Sequence, residues 1–359
     1  ETFRSVIRIQ LLILVIMLAR GSVTLLSLLC GTIGSLEVAA FEVGASQAPP
    51  EYLLFIGVSV APGSVQQRAE VRNSWGQSHL IVGPNPIIQY KFTVGWAEPN
   101  SDDAKALEQD NATHGDFLRL PIREGYHNLV NKTISFLRWF ALEGNARYVM
   151  KLDVDSFPNF KRIVPLLELK IENGKTFTYA GDMMMKNKPL TWGKWAQDPA
   201  VFNETYYPPY ASGPGYLMGA DLARLIYRDH YYIHMSMRLD NEDANTGVWV
   251  HRENSTGTLI DYTNLDGEEE GCQPGVHLAL NLPLGQLACI WQRQQRGEAD
   301  FCCDHSHTTW ADRNAGFLRK SPDLHHQGHR HHLQAFPAGW IEAQDREFAL
   351  RLAFDSLTT

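Results

Sequence analysis

An α/β fold around a mostly parallel sheet is what the sequence predicts, and three observations predict it. Apolar runs of strand length alternate with segments of helical periodicity along the chain. The first of these runs, Tyr52–Val60, is apolar almost throughout, as a strand covered on both faces requires. A later one, Tyr148–Leu152, ends in acidic residues, at the kind of strand terminus where open parallel sheets receive their ligands.

Taken in order, Tyr52–Val60 is the first strand, flanked by Pro50 and Pro62. Ser64–Ser74 carries charges at helical spacing and stops near Trp75, Ile87–Trp96 is a second strand, and Asp116–Leu120 is a short third one. In Tyr126–Leu142 the residues Leu129, Thr133, Phe136, Leu137 and Phe140 recur every three or four positions, which predicts an amphipathic helix. Tyr148–Leu152 follows as the fourth strand, and helical patterns return at Phe160–Leu169 and Gly219–Asp229. No internal repeat is present.

With 359 residues, 44% hydrophobic and 20% charged, the chain can bury a sizeable core. A net charge of −8, with no Lys/Arg cluster past the N-terminus, excludes the electrostatic footprint of a nucleic-acid binder. The chain begins at Glu1. Ile9–Ala19 is apolar, Arg20 and Gly21 interrupt, and a second apolar stretch runs to about Gly34, with Arg4 and Arg8 ahead of both. A span needs roughly 20 apolar residues, and preceding basic residues stay cytoplasmic. The expected organisation is a signal anchor in residues 1–36, a stem at 37–50, a lumenal catalytic domain at 51–310 and a His-rich tail at 311–359; a cleaved signal peptide is the alternative for the apolar start. Sequons at Asn111, Asn131, Asn203 and Asn254 fit secretory passage. Cys272, Cys289, Cys302 and Cys303 then lie in an oxidising compartment, with all three pairings open.

The sharpest local signal is Tyr148-Val-Met-Lys-Leu-Asp-Val-Asp-Ser-Phe, in which a strand delivers Asp153 and Asp155 into the following loop. Hard divalent cations take oxygen ligands, and one held between carboxylates and a diphosphate neutralises a departing nucleotide. An isolated Asp-x-Asp also serves as a plain turn after a strand. A dehalogenase-like phosphatase uses a similar motif, but usually has Thr or Val where this chain has Phe157.

Six blocks in order resemble the β-1,3-galactosyltransferase family, whose relatives include N-acetylglucosaminyltransferases and the fringe proteins. Gln67-Arg-Ala-Glu-Val-Arg-Asn-Ser-Trp75 resembles its Arg-x-x-x-Arg-x-Thr-Trp signature with Ser74 for Thr. Gly115-Asp-Phe-Leu and Tyr126-His-Asn-Leu-Val-Asn-Lys-Thr133 resemble its Gly-Asp-Ile-Ile and Tyr-x-Asn-Leu-Thr-x-Lys-Thr blocks. Lys151-Leu-Asp-Val-Asp-Ser-Phe157 resembles Lys-x-Asp-Asp-Asp-x-Phe with Val154 for the middle Asp. Tyr207-Pro-Pro-Tyr-Ala-Ser-Gly-Pro-Gly-Tyr216 and Asn241-Glu-Asp-Ala-Asn-Thr-Gly247 resemble the last two blocks, the latter with Ala244 for Val.

The resemblance implies a GT-A type fold, a UDP-sugar donor, Mn²⁺, and inverting transfer of a hexose, galactose before others, to a glycan or glycoprotein hydroxyl in a β-1,3 linkage. It implies a single-pass type II Golgi membrane protein with its catalytic domain in the lumen. Asp153 and Asp155 would hold the metal, Asp153 also meeting the donor, and Asp243 would be the general base with Glu242 beside it. Arg68 and Arg72, four residues apart on one helical face, and Lys132 would meet the nucleotide or diphosphate, a task suited to guanidinium forks; a solvated helix face is the other reading of Arg68. Gly213 and Gly215, with Tyr210 and Tyr216, suggest a tight turn that brings backbone close to sugar, and Trp192 and Trp195 offer stacking surface for an acceptor, core packing being the alternative for these aromatics. Among His277, His305 and His307, His305 is preferred as a further metal ligand because Phe301-Cys-Cys-Asp-His resembles the family's cysteine-containing stretch. An N-acetylglucosaminyltransferase, or an inactive glycan-binding protein on the same fold, are the alternative functions; Val154 and Ala244 favour the latter, and the retained Asp153, Asp155 and Asp243 oppose it.

Overall fold

The computed structural model describes residues 51–303 except 194, 232–238, 266–271 and 273–274. The apolar start, the stem, His305, His307, the boundary at 310 and the His-rich tail therefore lie outside the described residues. Among those described, no helix is long and apolar enough to cross a membrane.

The chain forms β1 (Tyr52–Ser59), α1 (Val65–Arg72), α2 (His79–Val82), β2 (Ile88–Trp96), α3 (Asp102–His114), β3 (Phe117–Arg123), α4 (Leu129–Glu143) and β4 (Ala146–Asp153). It continues through β5 (Phe157–Pro158), α5 (Phe160–Glu172), β6 (Thr178–Met184), β7 (Tyr210–Gly219), α6 (Ala220–His230), α7 (Glu242–Ser255), β8 (Asp261–Asn264), β9 (Leu278–Ala279) and α8 (Gln286–Gln295). Seven strands make the main sheet, in the order β3-β2-β1-β4-β7-β6-β8, while β5 and β9 pair separately. Neighbouring strands run parallel except that β7 is antiparallel to both β4 and β6. The predicted mostly parallel α/β sheet is the one formed.

Alternation along the central strands builds two apolar layers. Leu54, Ile56 and Val58 of β1 and Tyr148, Met150 and Leu152 of β4 face one core with Val71 of α1, Ile163 and Leu167 of α5 and Ile290 of α8. Phe55 and Val149 face the other, with Phe136 and Phe140 of α4, Ile226 of α6 and Trp249 of α7. Burying each such side chain contributes about 1.5–3 kcal/mol. Sheet position, rather than any one contact, thus fixes where the loops at the strand ends lie.

Two predicted features are corrected and one helix was not predicted. Gly213 and Gly215 are not in a tight turn; they lie within β7, and the glycines serve close packing there. A Cβ at 215 would sit 3.1 Å from Leu152 Cδ1 and 3.2 Å from Leu278 Cδ1, against the core. Helix α3 was not expected: Ser101 Oγ accepts from Ala104 N at 3.1 Å at its start, and Gly115 ends it with φ 64°. The predicted third strand extends to Arg123.

The C-terminal part of the described chain is stapled by Cys272–Cys302 and Cys289–Cys303, one of the three open pairings. Glu70 of α1 reaches the start of α8, its Oε1 accepting from Leu287 N at 3.0 Å and Ala288 N at 3.4 Å. A carboxylate at a helix N-terminus satisfies its free amides and its dipole, so α1 holds α8 in place.

Candidate active site

From β1 the chain steps outward to β2 and β3, then crosses back to add β4 on the other side of β1. The switch point of this sheet is therefore the crevice beyond the carboxyl ends of β1 and β4, where Ser59 and Asp153 are register partners. A cavity of about 940 Å³ opens with Asp153 and Asp155 in its wall, and Lys151, Ser212, Gly213, Asp240, Glu242 and Asp243 are among its other polar lining.

Lys151 and Asp153 stand two residues apart on β4 and so share a face. The Lys151 ammonium donates to Asp153 Oδ1 at 2.6 Å and to the Gly213 carbonyl of β7, and lies 3.8 Å from Glu242 Oε2. Burial opposes its charge, but the carboxylates of Asp153, Glu242 and Asp243 outweigh that and hold its pKa above the usual ammonium value. One buried cation therefore joins the end of β4 to the start of α7.

Glu242 and Asp243 open α7, behind Asn241. Glu242 Oε1 accepts from Thr133 Oγ1 and Tyr216 OH, each at 2.7 Å, which fixes its carboxylate. Asp243 takes backbone amides instead, Oδ2 from Gly213 N at 3.1 Å and Oδ1 from Ala244 N at 2.8 Å. A Cβ at 213 would stand 3.3 Å from Asp243 Oδ2, so glycine permits this approach. Burial first, and the charge of Glu242 second, push the Asp243 carboxyl up to about 7, against the two amides and Lys151. A carboxylate poised near neutrality in a cleft has the properties of a general base.

The matched family model is described as galactosyltransferase and covers residues 66–255, from the first turn of α1 to the end of α7. The chain belongs to the galactosyltransferase family. It is 31% identical over 253 residues to hydroxyproline O-galactosyltransferase GALT5 of Arabidopsis thaliana, covering 70% of this chain and 37% of that one. It is 30% identical over 208 residues to beta-1,3-galactosyltransferase 6 of Mus musculus, covering 58% of this chain and 62% of the relative. Mouse beta-1,3-galactosyltransferase 1 matches at 28% over 204 residues, 55% of this chain and 60% of its own. The chain thus spans little more than a third of the plant relative's length and about three fifths of the mouse proteins'.

Within this chain the sequence-predicted residues divide. Asp153, Asp155, Gly213, Glu242 and Asp243 meet at the cavity; Arg68, Arg72, Lys132 and Gly215 do not line it. Arg68 is fully buried, its Nε bonded to Asp110 Oδ2 at 2.6 Å and its Nη1 to the carbonyls of Ala61 and Pro62. Arg72 grips Asp110 and Asp116 at 2.9 and 2.8 Å, and the full burial of Arg68 removes its solvated-face reading. Lys132 is buried between the Val60 carbonyl and Glu124 Oε1, at 2.8 and 2.7 Å, and burial lowers its pKa. These three cations are spent on carboxylates and carbonyls that frame the loop after β1. Arg68→Ala is accordingly expected to leave Asp110 and Arg72 in a broken buried network and to lower stability by roughly 3–5 kcal/mol in thermal denaturation. A donor ligand at an open site would instead weaken UDP binding at unchanged stability.

Lys151 and Thr133 were quoted in the motifs without a role at the site, and Tyr216 only as part of a turn near sugar. The i, i+2 spacing of Lys151 and Asp153 on a strand was the available signal; nothing in the sequence pairs Thr133 or Tyr216 with Glu242. For a metal, the described residues include no group of three or more His, Cys, Asp or Glu able to hold one. Asp153, 36% exposed at its side chain, and Asp155 are two hard oxygen donors on one cavity, a set that fits a divalent cation completing its shell with diphosphate oxygens and water.

Proposed function

We propose that the chain is a metal-dependent, inverting hexosyltransferase of GT-A type that moves galactose from UDP-galactose to a saccharide hydroxyl, forming a β-1,3 linkage. The observation that carries this reading is that a strand-end carboxylate pair and a carboxylate poised near pH 7 line one cavity at the switch point of the sheet. Asp153 and Asp155 would hold Mn²⁺, which supplies charge neutralisation for the diphosphate when bound. Asp243 accepts the proton of the acceptor hydroxyl as that oxygen attacks the anomeric carbon and the bond to UDP breaks; the configuration inverts because attack and departure occur on opposite faces. Glu242, fixed by Thr133 and Tyr216, keeps a negative charge beside Asp243 and so keeps it basic.

Galactose is supported by the names of the relatives, which share that sugar. A lumenal placement in the secretory pathway, as in the Golgi, is supported by two disulfides and by the exposed sequon asparagines Asn203 and Asn254. The test is a screen of the purified chain against UDP-sugars with and without Mn²⁺, using a galactose-terminated oligosaccharide as acceptor. Release of UDP with UDP-galactose, dependent on both acceptor and Mn²⁺, is expected. Equal turnover with UDP-N-acetylglucosamine, or none with any donor, would overturn the assignment.

A further inference from the structure

Strands β4 and β7 run antiparallel, with register partners from Tyr148 and Gly219 to Leu152 and Gly215. The residue of β7 just before Gly215 is Pro214, which has no N–H to donate, so the backbone exchange cannot continue past that pair. Two side chains from the β4 side hold β7 there instead. The Lys151 ammonium donates to the Gly213 carbonyl, and Oγ of the buried Ser156 donates to the Pro214 carbonyl at 3.3 Å. Gly213 in turn donates its amide to Asp243 Oδ2 at 3.1 Å. One residue of β7 thus stands between the ammonium and the carboxylate, bonded to Lys151 by its carbonyl and to Asp243 by its amide. With no side chain to pack, Gly213 takes its orientation from backbone bonds, and these are two of them.

The same ammonium is 2.6 Å from Asp153 Oδ1 and 3.8 Å from Glu242 Oε2, with 10% of its side chain exposed. Glu242 is pinned, because Thr133 Oγ1 and Tyr216 OH hold its other oxygen at 2.7 Å each. The groups that face Asp243 are Glu242 on its own helix, Lys151 of β4, Tyr179 of β6, and Tyr126 and Tyr207 in the connections ahead of α4 and β7. Burial and the nearby carboxylates hold those three phenols above their usual value of 10, so they stay uncharged near neutral pH. The balance at Asp243 is therefore struck between one anion, Glu242, and one cation, Lys151. An opposite charge close to a carboxyl typically lowers its pKa by about 1–3 units.

We infer that Lys151 is a positioning residue for the transfer: through Gly213 it holds Asp243 in place, and its charge offsets the carboxylate of Glu242 beside that base. The inference rests on the transferase reading above and does not require Lys151 to touch a substrate. The experiment compares the parent with Lys151→Met, which keeps the length and loses the charge, and Lys151→Arg, which keeps the charge. Each is made with and without Asp243→Asn, and is followed by transfer at saturating UDP-galactose and Mn²⁺ and by thermal melts between about pH 5 and 9. Lys151→Met is expected to lose about tenfold in kcat at pH 7 with donor KM within about threefold, and to regain part of it in alkali, the inflection in kcat/KM having moved up from about 7 by on the order of one unit. Lys151→Arg should return the inflection to the parental pH. A lysine that served the fold alone would lower the melting temperature and leave the inflection where it is; that result overturns the inference, as does an inflection in Lys151→Arg displaced as far as in Lys151→Met. The melts decide the point without turnover. The parent loses stability from Asp243 as pH rises toward about 7, and in Lys151→Met that loss should continue to higher pH, a difference that Asp243→Asn removes. Absence of transfer by the parent from every donor strikes the transferase reading, and the melts then still test Lys151: the same pH dependence in parent and Lys151→Met overturns its role. If Lys151→Met does not fold, Lys151→Met combined with Asp153→Asn, in which a lost anion matches the lost cation, is read by the same melts against Asp153→Asn alone.

Discussion

Asp153→Ala is expected to abolish the Mn²⁺-dependent part of UDP binding, weakening affinity in the presence of the metal by 10²-fold or more while leaving metal-free UDP affinity at the parental level. Removing even an outer partner of a metal ligand typically costs about 10–100-fold, and a ligand itself more. The effect is large because Asp153 is one of the two carboxylates that the end of β4 and the loop after it present to the cavity. Asp153 also neutralises Lys151, so alanine leaves that buried ammonium facing Glu242 and the Gly213 carbonyl alone. Asp153→Asn separates the two effects, since the amide carbonyl still accepts from Lys151 but binds a cation poorly. Calorimetry of UDP with and without Mn²⁺ on both variants, with Asp155→Ala beside them, makes the comparison. Parental Mn²⁺-dependent affinity in Asp153→Asn would place the metal elsewhere.

The parts of this fold that were legible are those in which one segment carries its own signal. Tyr52–Ser59 reads as a doubly covered strand because both its faces are apolar, and the helix Leu129–Glu143 because its buried side chains recur at helical spacing. Helix Asp102–His114 buries only Leu107 and Asp110, so its hydropathy is silent; Ser101 and Gly115, a cap at each end, were the signals to use. The glycines of Tyr210–Gly219 suggested a turn, yet they answer to partners distant in sequence, Leu152 and Leu278 against Gly215 and Asp243 against Gly213. The same limit governs the site. Two acids at a strand end and two in the first turn of a helix announce themselves locally, whereas Arg68 and Arg72 resemble phosphate ligands until Asp110 and Asp116, some 40 residues on, are found to hold them. Charge alone does not tell an internal ion pair from a binding group; the partner does.

Asp243→Asn is expected to retain UDP–Mn²⁺ binding and lose turnover by about 10²–10⁴-fold, the range that a positioned general base supplies. The hydroxyl of a sugar is not ionised near pH 7, so its proton must leave as the new bond forms, and asparagine has no basic oxygen to receive it. In the parent, kcat/KM should rise with pH through an inflection near 7, because the base works only when deprotonated and its carboxyl is pushed up to about 7 by burial and by Glu242. The variant should lose that inflection. The same shift acts on stability with a definite sign. An unfolded Asp243 ionises near 3.8, so between that pH and about 7 the folded chain holds a proton that the unfolded chain has released. Stability from this group is therefore complete in acid, falls as pH rises through that window, and is lowest above 7. At about 1.4 kcal/mol per pKa unit the ionised carboxylate opposes the fold by several kcal/mol, of which asparagine gives back roughly 1–2 through the backbone amide it no longer satisfies. Asp243→Asn should then melt above the parent at pH 8 and approach it toward pH 4. A slower and more stable enzyme is the signature of a residue kept for chemistry at the expense of the fold. Near-parental transfer would move the base to Glu242 or another acid, and a variant that is destabilised at every pH would make the start of α7, not the reaction, the reason for this carboxylate.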